Sequence, residues 1–506
     1  MPTEIELKLR LSPAEARQLI KHRLLVATPG QKFRLFNTYY DTPDSDLRKQ
    51  CIALRLRRKG WSSWLITVKG SDPNGGALAQ RREWEAPTQP GVFDLSIVTD
   101  EGLREFLECK RALLQPVFST DFTRITWRLE RARAVVEVAL DRGEIKPADG
   151  GGKSSVSSEP ICELELELLS GDSPDALFEI AIELAQDFEL HPEILSKAER
   201  GYLLAGSEMS QPAKAVCSPI NSDMSAVDAF RAIALSCVLH LQRNEGGAIA
   251  GSQPEYLHQA RVAIRRLRSA FKVFAPVLMP AFIDVYAPRW GASASRLGGA
   301  RDWDVFLSET LAPLEDAFPA NPDLAALRTH AETAQGQAQA AARIALKEKE
   351  YSQLLLAFLA ALFRVEPPTI EQVDARPVAN LHKFASRRLA RRAGVIERII
   401  NERGKMSAER RHQLRIAFKK LRYALDFFAP ILGGRRLVAY QASLSALQDL
   451  LGTLNDQETA SRLIMEMQPE GKSVPLLKGW IAGRKHLLVS ALDKELGRFM
   501  TLKQPW

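Results

Sequence analysis

Up to about residue 205 the chain alternates charged with apolar residues in segment after segment, and this period of two confines it to strands with two unlike faces. The segments are EIELKL from Glu4, ALRLR from Ala53, WLITVKG from Trp64, RREWEA from Arg81, VVEVALD from Val135 and CELELEL from Cys162. In a strand, residues i, i+2 and i+4 share a face. Glu4, Glu6 and Lys8 therefore point one way while Ile5, Leu7 and Leu9 point the other. Arg55 and Arg57 oppose Leu54 and Leu56 in the same manner, as do Glu163, Glu165 and Glu167 against Leu164, Leu166 and Leu168. The polar face of a usual antiparallel sheet is solvated and would mix Ser, Thr, Asn and Gln with its charges. Here full charges of both signs recur on the faces of successive strands. That pattern points to a closed antiparallel β-barrel with a charged bore.

The 506 residues exceed one hydrophobic core, so two or three domains are expected. Strand signals are separated by turn signals such as Asp72-Pro73-Asn74-Gly75-Gly76. The stretch DGGGKSSVSS from Asp149 has the composition of a linker, but VVEVALDRGEIK and PICELELELL flank it as a hairpin, so it reads as a long mobile loop. The boundary falls instead in the Ser/Pro-rich run 206–222. From Asp223 the period becomes 3.6, with Ala, Leu, Arg and Gln abundant, which gives an all-α domain over 223–506. This half repeats itself. HQARVAIRRLRSAF at His258 returns as HQLRIAFKKLRYAL at His412, 154 residues later, and the same offset carries Leu297-Gly298 and Asp302 onto Leu451-Gly452 and Asp456. The expected architecture is α+β and multidomain: a barrel over 1–205, a linker, and a duplicated helical bundle with copies near 223–375 and 377–506.

Charge is unevenly divided. Residues 1–205 hold 28 Lys and Arg against 32 Asp and Glu, while the remainder holds 41 against 29, a net charge of +12 that suits a polyanionic partner. The five cysteines, Cys51, Cys109, Cys162, Cys217 and Cys237, show no metal-ligand spacing and fit a reducing compartment. The charged start MPTEIELKLRL lacks the apolar core of a signal peptide, and no apolar stretch reaches the length of a membrane span. The expected location is cytoplasmic.

A bore lined with both signs must be neutralised, because an unpaired buried charge is costly. A polyphosphate with divalent cations does this: guanidinium and ammonium groups take phosphate oxygens, and carboxylates take hard cations. A nucleic-acid groove would be basic alone. EIELKL resembles the ExExK signature of the CYTH superfamily, the triphosphate tunnel metalloenzymes. The likeness continues in order through YYDTP, LRLRR, TVKG, RREWE, STDFTR, EVALDRGEIK, ICELELELLSG and LSKAERGY, over nearly all of residues 1–204. The resemblance implies an eight-stranded antiparallel barrel in which Lys8, Arg55, Arg57, Lys69, Arg124 and Lys197 bind phosphate. It implies that Glu4, Glu6, Asp141, Glu163 and Glu165 hold Mg2+ or Mn2+. Glu83, Glu85, Glu137 and Glu167 share these faces and either join that set or orient the basic residues. Arg82 and Arg200 are either further phosphate ligands or salt bridges at the barrel mouth. One cation at Glu4 and Glu6 would fix the phosphate chain, and a second near Asp141 and Glu163 would activate the attacking water.

In the helical half, His258, Arg261, Arg265 and Arg268 lie within an arc of about 80° at roughly 100° per residue, with Ala260, Ile264, Leu267 and Phe271 opposite. His412, Arg415, Lys419 and Arg422 repeat the arrangement against Leu414, Phe418, Leu421 and Leu425. A third basic run, HKFASRRLARR from His382, adds to the excess. Two such faces read as a pseudo-symmetric pair of anion sites, with structural histidines as the alternative for His258 and His412. The motifs HxxRxxxRRxR, LGGARDWDV, HQLRIAFKKLRY and LQDLLGTLND resemble the CHAD family of helical domains, over roughly 223–506. That resemblance implies paired four-helix bundles, and it implies that these eight residues contact inorganic polyphosphate. The copies differ where Arg301 becomes Asn455 and Asp304 becomes Glu458, which leaves the role of this acidic motif open.

Together the resemblances imply hydrolysis of inorganic triphosphate to pyrophosphate and phosphate, with the helical domain holding polyphosphate or placing the enzyme on polyphosphate granules. The alternatives are a non-catalytic polyphosphate binder and a CYTH enzyme acting on an organic triphosphate, either a thiamine triphosphatase or a class IV adenylyl cyclase. The acidic set argues against the first, and the lack of an evident adenine pocket argues against a cyclase. Nucleic-acid binding would require stacking aromatics beside the basic faces, where only Tyr423 qualifies.

Overall fold

The computed structural model describes residues 3–60, 62–70, 76–131, 133–148, 158–171, 173–206, 211–365, 380–402, 406–467 and 473–506. The Asp72–Gly75 turn, most of the 149–158 loop, part of the 206–222 boundary and the junction of the two helical copies near 375–377 lie outside the described residues. The chain divides into two compact units, Met1–Gln211 with Lys349–Ala360, and Pro212–Glu348 with Ala361–Trp506.

The first unit is built on eight antiparallel strands: β1 (Thr3–Arg10), β2 (Gln31–Asp41), β3 (Ala53–Lys59), β4 (Ser63–Lys69), β5 (Leu78–Thr88), β6 (Gln115–Arg131), β7 (Ala134–Pro147) and β8 (Glu159–Ser170). Their order is β5-β4-β3-β2-β6-β7-β8-β1, and β1 pairs with β5 to close the barrel. Closure leaves no long edge to aggregate. The alternation seen in the sequence is used inside out. The apolar faces point outward and are roofed by short helices, while the charged faces line the bore.

Leu54, Leu56, Ile66, Val68 and Trp84 pack outward against Leu95, Val98 and Leu107. The helix Asp175–Asp187 covers β1, β7 and β8, where Leu7, Leu9, Val136, Val138, Leu140, Leu164 and Leu166 are fully buried. Burying each such leucine contributes roughly 1.5–3 kcal/mol, so the outer roof supports a bore whose charged stretch has little apolar surface of its own. The segment Lys349–Ala360 belongs to this unit. Lys349 Nζ donates to Gln186 O at 2.8 Å, Gln353 Nε2 donates to Ala185 O at 2.8 Å, and His191 Nδ1 lies 2.9 Å from Ser352 Oγ. Helical periodicity alone carries no record of this attachment.

One end of the bore is plugged. The helix Lys197–Ala205 starts at a capping box in which Ser196 Oγ accepts from Glu199 N at 3.1 Å and Glu199 Oε2 accepts from Ser196 N at 2.8 Å. It seats Tyr202 among Leu35, Tyr39, Phe118, Phe122, Ile145 and Ile161. Gly201 permits the approach, since a Cβ there would lie 2.1 Å from Phe118 Cε2. The Asp of the YYDTP segment has a local duty: fully buried Asp41 accepts from the backbone N–H groups of Thr42, Leu47 and Arg48 at 2.7, 2.9 and 3.0 Å and anchors the short helix Asp46–Lys49.

The second unit is all-α. Ala226–Ala250, Pro254–Phe274, Pro280–Arg296 and Pro322–Lys347 form one set of long helices; Leu381–Asn401, Ala408–Leu432, Arg435–Met467 and Ser473–Met500 form the other. The predicted core faces are inside: Ala260, Ile264, Leu267 and Phe271 in the first copy, Leu414, Phe418, Leu421 and Leu425 in the second. The sets share a core in which Phe306, Leu311, Leu324 and Leu327 meet Leu463, Ile464, Leu477 and Ile481. Among the described residues, no helix is long and apolar enough to cross a membrane.

Candidate active site

Strand register assembles the bore. Lys8 faces Glu165 across β1 and β8, Glu6 faces Glu167, Asp141 faces Glu163 across β7 and β8, and Arg124 faces Asp141 across β6 and β7. Arg55 and Arg57 on β3, Lys69 on β4, and Arg81, Glu83 and Glu85 on β5 complete the lining, with Asn37 and Tyr39 from β2.

These charges neutralise one another in three groups. Glu4 accepts from Lys69 Nζ at 2.9 and 2.8 Å; Lys69 also reaches Glu83 at 3.0 Å, and Arg81 lies 3.6 Å from Glu4 and 3.8 Å from Glu6. Lys8 Nζ, with its side chain only 3% exposed, is 3.7 Å from Glu6. The second group is looser. Arg55 Nη2 lies 3.7 Å from Glu83 and 3.9 Å from Glu85, and Arg57 Nη1 lies 3.7 Å from Glu85, all beyond hydrogen-bond reach. Arg57 is lowered to about 10 by burial and by neighbouring Arg55, and the buried Arg55 Nε has no partner.

The third group is tight. Arg124 grips Asp141 with two 2.7 Å bonds and also touches Glu165. Lys197 Nζ sits 2.7 Å from Asp141 and 2.6 Å from Glu165, and contacts Glu163. Arg200 holds Glu163 at 3.0 Å and Glu159 at 2.6 Å. Burial opposes the charge on Glu165, but Lys197 and Arg124 outweigh it and hold that carboxyl well below its usual range. Glu163 is raised by burial, with Glu165 and Asp141 crowding it against the pull of Lys197.

Asp141, Glu163 and Glu165 each offer a carboxylate oxygen, all within 4.8 Å of one another. Three hard oxygen donors at that spacing fit a small divalent cation. Glu4 and Glu6, expected to hold another, are engaged by Lys69 and Arg81 apart from this grouping. Glu137 and Glu167 face each other across β7 and β8, and Glu167 is pushed up to about 8 by burial and then by Glu4.

The structure separates Arg82, left open between a phosphate ligand and a salt bridge, from its neighbour Arg81, which the sequence did not single out. Arg82 is on the outer face, 44% exposed and paired with Asp100, whereas Arg81 is inside. Arg81 shares parity with Glu83 and Glu85, so the signal was present. Asn37 was also missed. It accepts from Arg57 Nε and donates to Thr120 Oγ1, both at 2.8 Å, but a neutral residue in a strand carries no charge pattern to betray it.

In the helical unit the two motif helices meet. Arg265 stacks over the Tyr423 ring, 5.7 Å from its centroid, and Lys419 is pulled down to about 7 by burial and then by Arg415 and Arg265. His258 is lowered by burial and then by Arg301, while His412 is exposed. Arg261 donates to Gly298 O at 2.7 Å and Arg422 to Gln448 at 2.8 Å. Arg268 lies beside Gly291. Arg388 and Arg392, from the third basic run, both donate to the Lys272 carbonyl, at 3.0 and 3.1 Å. The acidic motif ties helices together: Asp302 pairs with Arg462 at 3.1 Å, and Asp304 accepts from Gln335 at 2.7 Å.

A barrel enclosing matched acids and bases, followed by a basic helical pair, defines a two-module protein. Residues 2–202 match the CYTH domain and residues 232–464 match the CHAD domain, so the chain carries a CYTH domain followed by a CHAD domain. It is 34% identical over 212 residues to an inorganic triphosphatase of Haemophilus influenzae, across 41% of this chain and 56% of the relative, so it spans about half the length of that curated protein. Among solved structures, the CHAD domain from the plant Ricinus communis is 30% identical, covering 58% of this chain and 98% of that one with a TM-score of 0.49. A putative adenylyl cyclase from Hippeastrum, described as having a dominant triphosphatase activity, is 18% identical and covers 39% of this chain and 94% of that one, with a TM-score of 0.30. The domain assignments rest on the sequence matches.

Proposed function

We propose that the barrel hydrolyses inorganic triphosphate to pyrophosphate and phosphate with Mg2+ or Mn2+, and that the helical unit binds inorganic polyphosphate. The observation that carries the first half is the under-partnered Arg55–Arg57 pair: two guanidinium groups, 11% and 13% exposed, whose only hydrogen bonds among the described residues go to Tyr39 and Asn37 and whose nearest carboxylates lie at 3.7 Å or more. A polyanion supplies the hydrogen bonds they lack, and phosphate suits the planar guanidinium fork. The name of the Haemophilus influenzae relative supports the same reading.

Arg55, Arg57 and Lys69 receive the phosphate chain, with Asn37 keeping Arg57 aimed into the bore. Asp141, Glu163 and Glu165 would hold the cation, with Glu4 and Glu6 as a further carboxylate pair. When bound, that cation supplies Lewis acidity and charge neutralisation at the reacting phosphate. The oxygen of a water bonds to a terminal phosphorus as the bridging P–O bond breaks, the proton shed by the water passes to solvent, and the charge gathering on the leaving pyrophosphate is met by Arg55, Arg57, Arg124 and Lys8. The plug helix closes one end of the bore, so substrate enters at the other.

In the helical unit, the polyphosphate ligands are His258, Arg261, Arg265, Arg268, His412, Arg415, Lys419 and Arg422. Arg265 over Tyr423 joins the two copies into one cationic surface, which supports a shared chain of phosphates. We place the protein in the cytoplasm, held on polyphosphate granules by this surface.

The test is phosphate release by the purified full chain with Mg2+ or Mn2+ on inorganic triphosphate, thiamine triphosphate, ATP and long polyphosphate. Selective turnover of inorganic triphosphate is expected. Equal rates on all four remove the assignment, preference for thiamine triphosphate makes it an organic triphosphatase, and binding without turnover leaves only an anion binder.

A further inference from the structure

We propose that Lys197 is the built-in counter-ion of the Asp141–Glu163–Glu165 grouping, and that it makes divalent-cation binding and polyphosphate binding depend on one another. The anion half of this inference rests on the function proposed above.

Lys197 Nζ lies 2.7 Å from Asp141 and 2.6 Å from Glu165, and touches Glu163, with its side chain only 7% exposed. It therefore holds the oxygens that converge within 4.8 Å as a set of cation donors. Arg124 on Asp141 and Glu165, and Arg200 on Glu163, supply the rest of the positive charge. The three buried carboxylates meet three cations, Arg200 being shared with the more exposed Glu159, so the buried grouping is already balanced. An ammonium and a divalent ion cannot take the same oxygens at contact distance, and a buried excess of two positive charges is strongly unfavourable. The cation binds well only when Lys197 gives up its carboxylates and meets another anion.

A polyphosphate in the bore is that anion. Its oxygens accept the Lys197 ammonium while the cation takes the carboxylates, and the charge balances again. Lys197 suits this exchange because it stands in the first turn of the plug helix on a flexible four-carbon stem, carrying a compact charge with rotatable donors. By linkage, each ligand then raises the affinity of the other by the same factor. Lys197 is thus the counter-ion that occupies the carboxylates until the cation arrives, and a hydrogen-bond donor to the phosphate once it has.

The experiment measures Mn2+ affinity of the full chain by calorimetry and by the electron paramagnetic resonance of the bound ion, with and without a bridging-imido analogue of triphosphate. In the wild type the analogue is expected to tighten Mn2+ binding by at least about fivefold, the lower end of ordinary coupling. Lys197→Gln should bind Mn2+ at least about fivefold more tightly than the wild type without the analogue, and should lose most of the coupling. Lys197→Arg keeps the charge but not the compact rotatable ammonium, so it should bind anion-free Mn2+ no more tightly than the wild type and retain only part of the coupling. Circular dichroism checks that each variant is folded. The proposal is overturned if folded Lys197→Gln binds anion-free Mn2+ no more tightly than the wild type. It is overturned equally, whatever the variants do, if the analogue leaves wild-type Mn2+ affinity unchanged. If the Mn2+ results hold while the wild type releases no phosphate from triphosphate, the counter-ion role stands and the hydrolase reading falls.

Discussion

Asn37 holds Arg57 in place: its Oδ1 accepts a 2.8 Å hydrogen bond from Arg57 Nε, and its Nδ2 donates one of the same length to Thr120. Asn37 is fully buried, so both bonds are shielded from water. Asn37→Ala strands the Thr120 hydroxyl and frees the guanidinium, and about 1–3 kcal/mol of unfolding free energy is expected to be lost. Triphosphate turnover should suffer through both a raised KM and a lowered kcat, since the arginine remains but is no longer aimed at the substrate or at the leaving pyrophosphate. Urea unfolding and steady-state kinetics measure the two effects separately. A variant as stable and as active as the wild type would dismiss the positioning role.

Strand parity makes a sharper test from two arginines. Arg55 points into the bore with an unpartnered Nε, while Arg82 lies outside against Asp100. Arg55→Ala should lower kcat/KM for triphosphate by roughly 10²–10³, the usual consequence of removing one transition-state donor. Arg82→Ala should leave turnover within about twofold, and the lost exposed pair should alter stability by no more than about 1 kcal/mol. Comparable activity losses in the two variants would mean that the bore is not the reactive site.

Glu167 gives a pH-dependent stability test. Burial and then Glu4 push its carboxyl up to about 8, from an ordinary value near 4.5. Between those values the folded chain binds more protons than the unfolded chain, so the Glu167 contribution to stability falls as pH rises through this window. Glu167→Gln removes the titration. It should melt close to the wild type near pH 5 and noticeably higher near pH 9, where the wild type must keep the charge buried. Differential scanning calorimetry without added metal reads this directly, and a constant difference at all pH values would refute the assignment.

How much of this was legible beforehand depends on what each interaction leaves in one dimension. Alternation of charge and Leu at Glu4–Leu9 and Glu163–Leu168 is a property of neighbours in sequence, so the barrel and its charged face could be read directly. The 154-residue repeat likewise exposed the helical duplication. Which cation meets which carboxylate is set by register between strands far apart in the chain. Lys69 on Glu4 and Lys197 on Asp141 were therefore invisible. Both lysines, expected to meet phosphate, rest on carboxylates expected to meet metal. Asp41 shows the converse case: it stands in a recognisable motif, yet its bonds to three backbone N–H groups give it a local structural duty.

The helical unit yields a prediction about protons and anions. Lys419 is drawn from an ordinary value near 10.5 down to about 7, first by burial and then by Arg415 and Arg265, with Asp456 opposing and Arg261 adding to the repulsion. Between those values the unfolded chain binds more protons than the folded one, so the anion-free unit should gain stability from this group as pH rises from about 7 towards 10. Binding of a polyphosphate reverses the balance, because phosphate oxygens restore the ammonium and the complex takes up a proton. Affinity for long polyphosphate should therefore fall above about pH 7, by at most roughly tenfold per unit from this group. His258 is likewise lowered, by burial and then by Arg301, and any proton it takes up with the anion is the part that persists in Lys419→Arg. Lys419→Arg should keep binding nearly level across it, since guanidinium stays protonated. Titrations of the full chain at several pH values, with buffers of different ionisation enthalpy to count the protons, would decide the matter. Proton uptake that persists unchanged in Lys419→Arg would assign the linkage to another group.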